Sequence, residues 1–132
     1  MTDELMTIRS MCDTYCVTPR TLRFYEAKEL LQPVREGQKR LFTKRDRARL
    51  TLILRGKRFG ISLEDIRQLL DLYDMAGQRQ MQIRRTCDLG KKRLEEMKRQ
   101  YNELAKTIAE LKEQLAVGEQ LLRAQGQSTA AA

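Results

Sequence analysis

The chain contains no histidine. That removes the commonest general base and the commonest metal ligand. Nor does the sequence hold a nucleophile–base pair, a phosphate-binding loop or a metal cluster, so enzymatic chemistry is not expected and no cofactor is called for. Cysteine is scarce: Cys12, Cys16 and Cys87 are an odd count that reads as reduced thiols rather than a disulfide framework. No run of 18 apolar residues and no signal-peptide core near the start occurs, so a soluble, cytoplasmic protein is expected. No cationic helix has an apolar face wide enough to lie in a membrane surface. With 132 residues there is room for one modest domain plus an extension.

Positive charge is what the chain has in excess. The net charge is +8, and it is unevenly spread. Residues 1–60 carry 14 basic and 7 acidic side chains, 61–82 carry 2 and 4, and 83–132 carry 10 and 7. The surplus therefore lies on the N-terminal part, as a polyanion-facing surface requires.

Within it, Val17 to Glu26 reads V-T-P-R-T-L-R-F-Y-E. Thr18 is a helix N-cap, Pro19 suits the first helical position, and Val17 with Leu22 forms a hydrophobic staple. On a helical wheel Leu22 marks the buried side, so Arg20, Arg23 and Phe24 project outward. Two guanidinium groups and an exposed aromatic on a short helix suit a DNA groove, where Arg forks onto guanine or phosphate. An ordinary surface helix with solvated arginines would look the same by these residues alone.

Met1 to Met6 reads as a frayed leader. Ile8, Met11, Cys12 and Tyr15 make Thr7–Tyr15 a short amphipathic helix, which completes a helix-turn-helix with the segment above. Gln32–Arg35 and Lys39–Phe42 flank the three-residue loop Glu36-Gly37-Gln38 and predict a two-stranded hairpin, with Pro33 confined to an edge. Such a hairpin must lean on the helices, leaving Lys39 and Arg40 free to reach outward as a wing. Thr43 and Asp46 predict a capped helix with Leu50, Ile53 and Leu54 inward and Arg45, Arg47, Arg49 and Arg55 on its surface, ending at Gly60 after Lys57-Arg58. Ser62 caps a further helix bearing Leu63, Ile66, Leu69, Leu70 and Tyr73. Around Gly77 the domain ends.

Beyond it, Leu94, Met97, Tyr101, Leu104, Ile108, Leu111, Leu115, Gly118 and Leu122 alternate at steps of three and four, with Ile83, Cys87 and Gly90 in the same register. This heptad seam is too narrow for globular packing and too apolar to stay solvated. No second long helix exists to cover it, so a second copy of the chain is the expected partner. The expected architecture is mainly α: a winged helix-turn-helix domain with a small hairpin wing at 1–76, a dimerising coiled-coil helix at 77–125, and a disordered tail at 126–132.

That order of elements resembles the MerR family of transcriptional regulators. The residues carrying the resemblance are Val17–Glu26 with Leu30, Leu31 and Pro33, the wing around Gly37 and Arg40, Arg45-Asp46, and Gly60–Ile66. The stretch Leu52–Ser62 resembles the branch regulating branched-chain amino-acid and fatty-acid breakdown. The resemblance implies a homodimer that binds a palindromic promoter operator, distorts the DNA and works with RNA polymerase. It also implies that Arg20 and Thr21 reach base edges, that Arg23 and Tyr25 hold the backbone, that Arg40 acts from the wing, and that Lys57 and Arg58 reach phosphate. Thr18 and Phe24 complete the expected DNA-binding set. Three positions depart from the family pattern: Lys39 and Phe42 replace wing tyrosines, and Cys16 replaces a glycine between the first two helices, which leaves that turn either less tight or slightly strained.

Other readings stay open at this point. A small nonspecific DNA- or RNA-binding protein would use the same basic face. Cys87, in the seam, could serve a thiol or metal sensor, or be a small apolar filler. Cys12 and Cys16, four residues apart, could form a redox couple.

Overall fold

Four of the helices begin on a hydroxyl cap. The structure, a computed structural model, describes residues 4–75 and 77–131, with only the backbone of 73, 74 and 127–131. Thr7 caps α1 (Ile8–Tyr15) and Thr18 caps α2 (Pro19–Ala27). Thr43 caps α3 (Lys44–Arg58), where the Asp46 carboxylate accepts from the Thr43 amide in return. Ser62 caps α4 (Leu63–Asp74), its Oγ accepting from the Asp65 amide. Each cap satisfies an amide that would otherwise lack a partner in the first turn.

Between α2 and α3 lie β2 (Val34–Glu36) and β3 (Lys39–Phe42). Glu36 pairs with Lys39, so the loop is the two residues Gly37 and Gln38 rather than three. Gly37 takes φ 63°, a left-handed conformation open to glycine at little cost in a tight hairpin. The wing is not a lone hairpin. β1 (Met6–Thr7) pairs antiparallel with β3, Met6 opposite Phe42, giving the order β1-β3-β2. The end of the expected frayed leader is thus a strand, while Met1 to Asp3 lie outside the described residues. Two residues show no periodicity, and only tertiary pairing makes them a strand.

The compact unit Met1–Gly90 is built on one apolar cluster: Met11, Leu22, Tyr25, Leu30, Leu31, Phe42, Leu50, Ile53, Ile66 and Leu70. Two charged residues share this interior. Asp46 accepts from the Gln32 amide at 2.9 Å and from the Thr43 amide and hydroxyl at 3.1 Å each. Arg49, expected on the surface, is buried, and its Nε donates to the Leu30 carbonyl at 2.7 Å. That carbonyl follows the end of α2, and the guanidinium satisfies it where water has no access. The side chain of Tyr73 lies outside the described residues.

α5 runs Arg79–Ala131. Its first turns belong to the Met1–Gly90 unit, with Gln82 Nε2 donating to the Leu69 carbonyl and Arg85 Nη2 to Gln68 Oε1. The second unit, Lys91–Ala132, carries the apolar seam. Its helix continues as far as Ala131, through the segment expected to be disordered, and Ala132 lies outside the described residues. Among the described residues no helix is long and apolar enough to cross a membrane.

Candidate nucleic-acid interface

The entry of α2 is rigid. Thr18 Oγ1 accepts from the Thr21 amide at 3.2 Å, and the two hydroxyls lie 2.9 Å apart. Pro19 occupies the first turn, Leu22 is fully buried beneath, and Val17 packs against the core. Arg20, Arg23 and Phe24 are therefore held on the solvent side, as the wheel predicts. Phe24 is 46% exposed, with Lys28 Nζ 5.7 Å from its ring centroid. A large apolar ring kept in water beside a cation is a surface suited to stacking on sugar or base.

Tyr25 does not join this set. It is 5% exposed and part of the core, its ring 5.8 Å from that of Phe24, and burial raises its hydroxyl pKa. One step of 100° from Phe24 and three residues from Leu22, it falls on the inner stripe. Thr21 is half-buried, with its hydroxyl engaged on the cap.

Arg23, Lys39 and Arg40, from α2 and the wing, converge on one cleft of about 340 Å³. Arg9, Thr7 and Gln38 complete it. Arg9 was not among the expected site residues. It arrives because β1 pairs with β3 and sets the start of α1 beside the wing. Four cations around a cleft of this size give it the charge and the paired N–H donors that suit an anionic oxygen group.

One acidic side chain sits inside this basic surface. Glu26 Oε1 accepts from Arg35 Nη2 at 2.9 Å, and Oε2 from Arg40 Nε at 2.5 Å. Partial burial alone would raise the Glu26 pKa. The hydrogen bonds and charges of Arg40 and Arg35 override that and leave it below its ordinary value. Arg40 is thus tied to α2 through Glu26, whereas the sequence reading left it free. The spacing of Glu26 from Arg35 and Arg40 gives no hint of this, since only the folded hairpin brings them together.

Lys57 and Arg58 are exposed in the last turn of α3 and do not line the cleft. Cys12 is half-buried, while Cys16 and Cys87 are exposed. Burial and then Asp13 raise the Cys12 pKa, with Arg23 opposing, which keeps the thiol protonated and a poor nucleophile. Among the described residues no group of three or more Cys, Asp or Glu side chains could hold a metal ion. Cys16, at the end of α1, takes φ 55° and ψ 45°, the left-handed conformation that its departure from glycine implies.

Comparison with known proteins places this geometry among relatives. The HTH-type transcriptional regulator ZntR of Escherichia coli (strain K12) is 45% identical over 58 residues, 42% of this chain and 41% of that protein. The match thus spans about two fifths of that relative's length. HiNmlR, a MerR family regulator lacking the sensor domain and solved bound to promoter DNA, superposes with a TM-score of 0.65 at 26% identity, over 87% of this chain and 96% of that one. A MerR family transcriptional regulator from Bacillus cereus gives a TM-score of 0.60 at 27% identity, over 77% and 76%. The family model described as "MerR HTH family regulatory protein" matches residues 6–73, and that described as "MerR, DNA binding" matches residues 47–114. Each match takes in just over half of the sequence, and the chain belongs to the MerR family of helix-turn-helix regulatory proteins.

Proposed function

We propose that two copies of this chain pair through α5 and set their α2 helices into successive major grooves of a palindromic promoter operator. The cleft lined by Arg9, Arg23, Lys39 and Arg40 beside the exposed face of α2 carries this reading, because it joins a groove-sized probe to a phosphate site. In it Arg20 reads base edges, Phe24 packs on sugar or base, and Arg23, Lys39 and Arg40 engage backbone phosphate. Lys57 and Arg58 supply a second phosphate contact.

Pairing is supported by the seam: Leu94, Met97, Tyr101, Leu104, Ile108, Leu111, Leu115 and Leu122 are all exposed, Tyr101 at 73%. Residues 1–76 then act as the DNA-binding domain and 77–125 as the dimerisation helix. Half-sites lie about 34 Å apart. The bound dimer distorts the promoter at a cost on the order of 1–6 kcal/mol, which phosphate contacts offset, and so presents it to RNA polymerase in the cytoplasm.

Footprinting on the protein's own upstream region, with binding to specific and scrambled duplex across salt, tests the proposal. A regulator separates the two duplexes by about 10³ or more. Equal affinity for both would make the chain a nonspecific nucleic-acid binder instead.

A further inference from the structure

Glu26 is out of place by charge. An operator is a polyanion, and a carboxylate beside its phosphates lowers affinity for every sequence. Its geometry supplies a reason for its presence. Arg35 and Arg40 are directly paired across β2 and β3, and two like charges in that relation repel. Glu26, from the last turn of α2, accepts from both, one carboxylate oxygen to each. The wing is thereby bound by charge to the helix that carries Arg20 and Arg23.

The atoms used matter as much as the pairing. Arg40 gives its Nε–H to Glu26, so the four N–H groups of its terminal nitrogens are not spent on that contact. Its side chain is 24% exposed and lines the cleft with Arg9, Arg23 and Lys39. A guanidinium held at its inner nitrogen presents its outer edge in one orientation, which is what a forked phosphate contact needs.

We propose that Glu26 is a positioning residue for DNA recognition: without touching DNA, it holds Arg40 and Arg35 so that one phosphate docks at a fixed distance from α2. The inference rests on the DNA-binding reading above. It makes phosphate docking set the register of Arg20 on the bases, so Glu26 acts on specificity in addition to the sequence-independent repulsion of its charge.

Glu26→Gln separates the two roles because it makes the surface more positive. If Glu26 is only a negative charge, the variant binds specific and scrambled duplex more tightly by the same factor. If Glu26 positions the wing, affinity for the scrambled duplex holds or rises while affinity for the specific duplex falls, on the order of tenfold. A general loss of fold would lower both together. A double-mutant cycle with Arg40→Lys, which keeps the charge but lacks the Nε–H, adds a second measurement: on the specific duplex the two losses overlap, whereas fully additive losses overturn the proposal.

Should Glu26→Gln not fold, Glu26→Asp retains the charge with a shorter reach. A narrowed ratio of specific to scrambled binding supports positioning, and wild-type behaviour overturns it. Wild-type protein that fails to separate the duplexes refutes the operator reading itself. Wild-type discrimination with a parallel shift in Glu26→Gln refutes only the role of Glu26.

Discussion

Cys16 holds a left-handed conformation without the freedom of glycine. For residues with a Cβ that conformation costs about 1–2 kcal/mol. Cys16 is exposed, so its side chain offers little packing in return. Cys16→Gly should raise stability by about 0.5–1 kcal/mol, measured by urea unfolding, because relief of strain outweighs the added flexibility of the unfolded chain. This strain was legible in the sequence, from a cysteine standing where a glycine is usual. The Glu26 pairing was not, because its partners lie 9 and 14 residues away and meet only in the folded wing. Glu26 also sets a pH dependence. Its carboxyl is held below the ordinary value of 4.5, so its contribution is complete above that value and is lost as pH falls through the lowered one. The difference in melting temperature between wild type and Glu26→Gln should therefore be constant above about pH 5.5 and shrink in more acid solution.

At the scale of elements, boundaries were legible wherever a side chain makes the boundary. Thr18, Thr43 and Ser62 cap as expected, and Gly60, at φ 76°, lies just past α3. Elements defined by distant partners were not legible. The strand at Met6–Thr7 exists through β3, and Arg49 turns inward to meet the carbonyl of Leu30. Residues 52–62 show how a family-like motif can be structural: they form the end of α3 and its cap, with the Ile61 amide bonded to the Gly56 carbonyl. A Cβ on Gly56 would stand 2.9 Å from the Ile66 side chain, so close packing of α3 on α4 accounts for that glycine.

α5 has a direction written in its charges. Residues 79–99 hold eight basic and three acidic side chains, whereas 100–126 hold three and four. Antiparallel pairing of two copies sets the basic half of each against the nearly neutral half of the other, whereas parallel pairing stacks the two basic halves on each other. If the seam is used in full from Ile83 to Leu122, Gly118 lies across from Cys87. Gly118→Cys should then give a disulfide-linked dimer on mild oxidation. The wild type, with Cys87 alone in the seam, should not.

For the whole molecule, the proposed interface divides its tasks between two units joined by one helix. Most of the apolar residues proposed for pairing, Leu94 to Leu122, lie beyond Lys91, while the core and the cationic cleft lie before Gly90. Replacing Leu104 and Leu111 by Lys should therefore give a monomer, read by light scattering, whose first unit melts nearly as before. Its affinity for a single half-site should persist weakly, while affinity for the full operator drops by several orders of magnitude through loss of bivalency.

The pairing of Met6–Thr7 with β3 has a practical corollary. The middle strand of the wing is flanked on one side by Met6–Thr7, so whatever directly precedes Met6 adjoins the wing. A bulky fusion ahead of Met6 should pull on Phe42 and Leu41 through that pairing and disturb the cleft that Thr7 and Arg9 line, so operator affinity should recover when the fusion is cleaved. An equal fusion after residue 131 should leave it unchanged. Where such a handle is attached is thus already a perturbation of the wing.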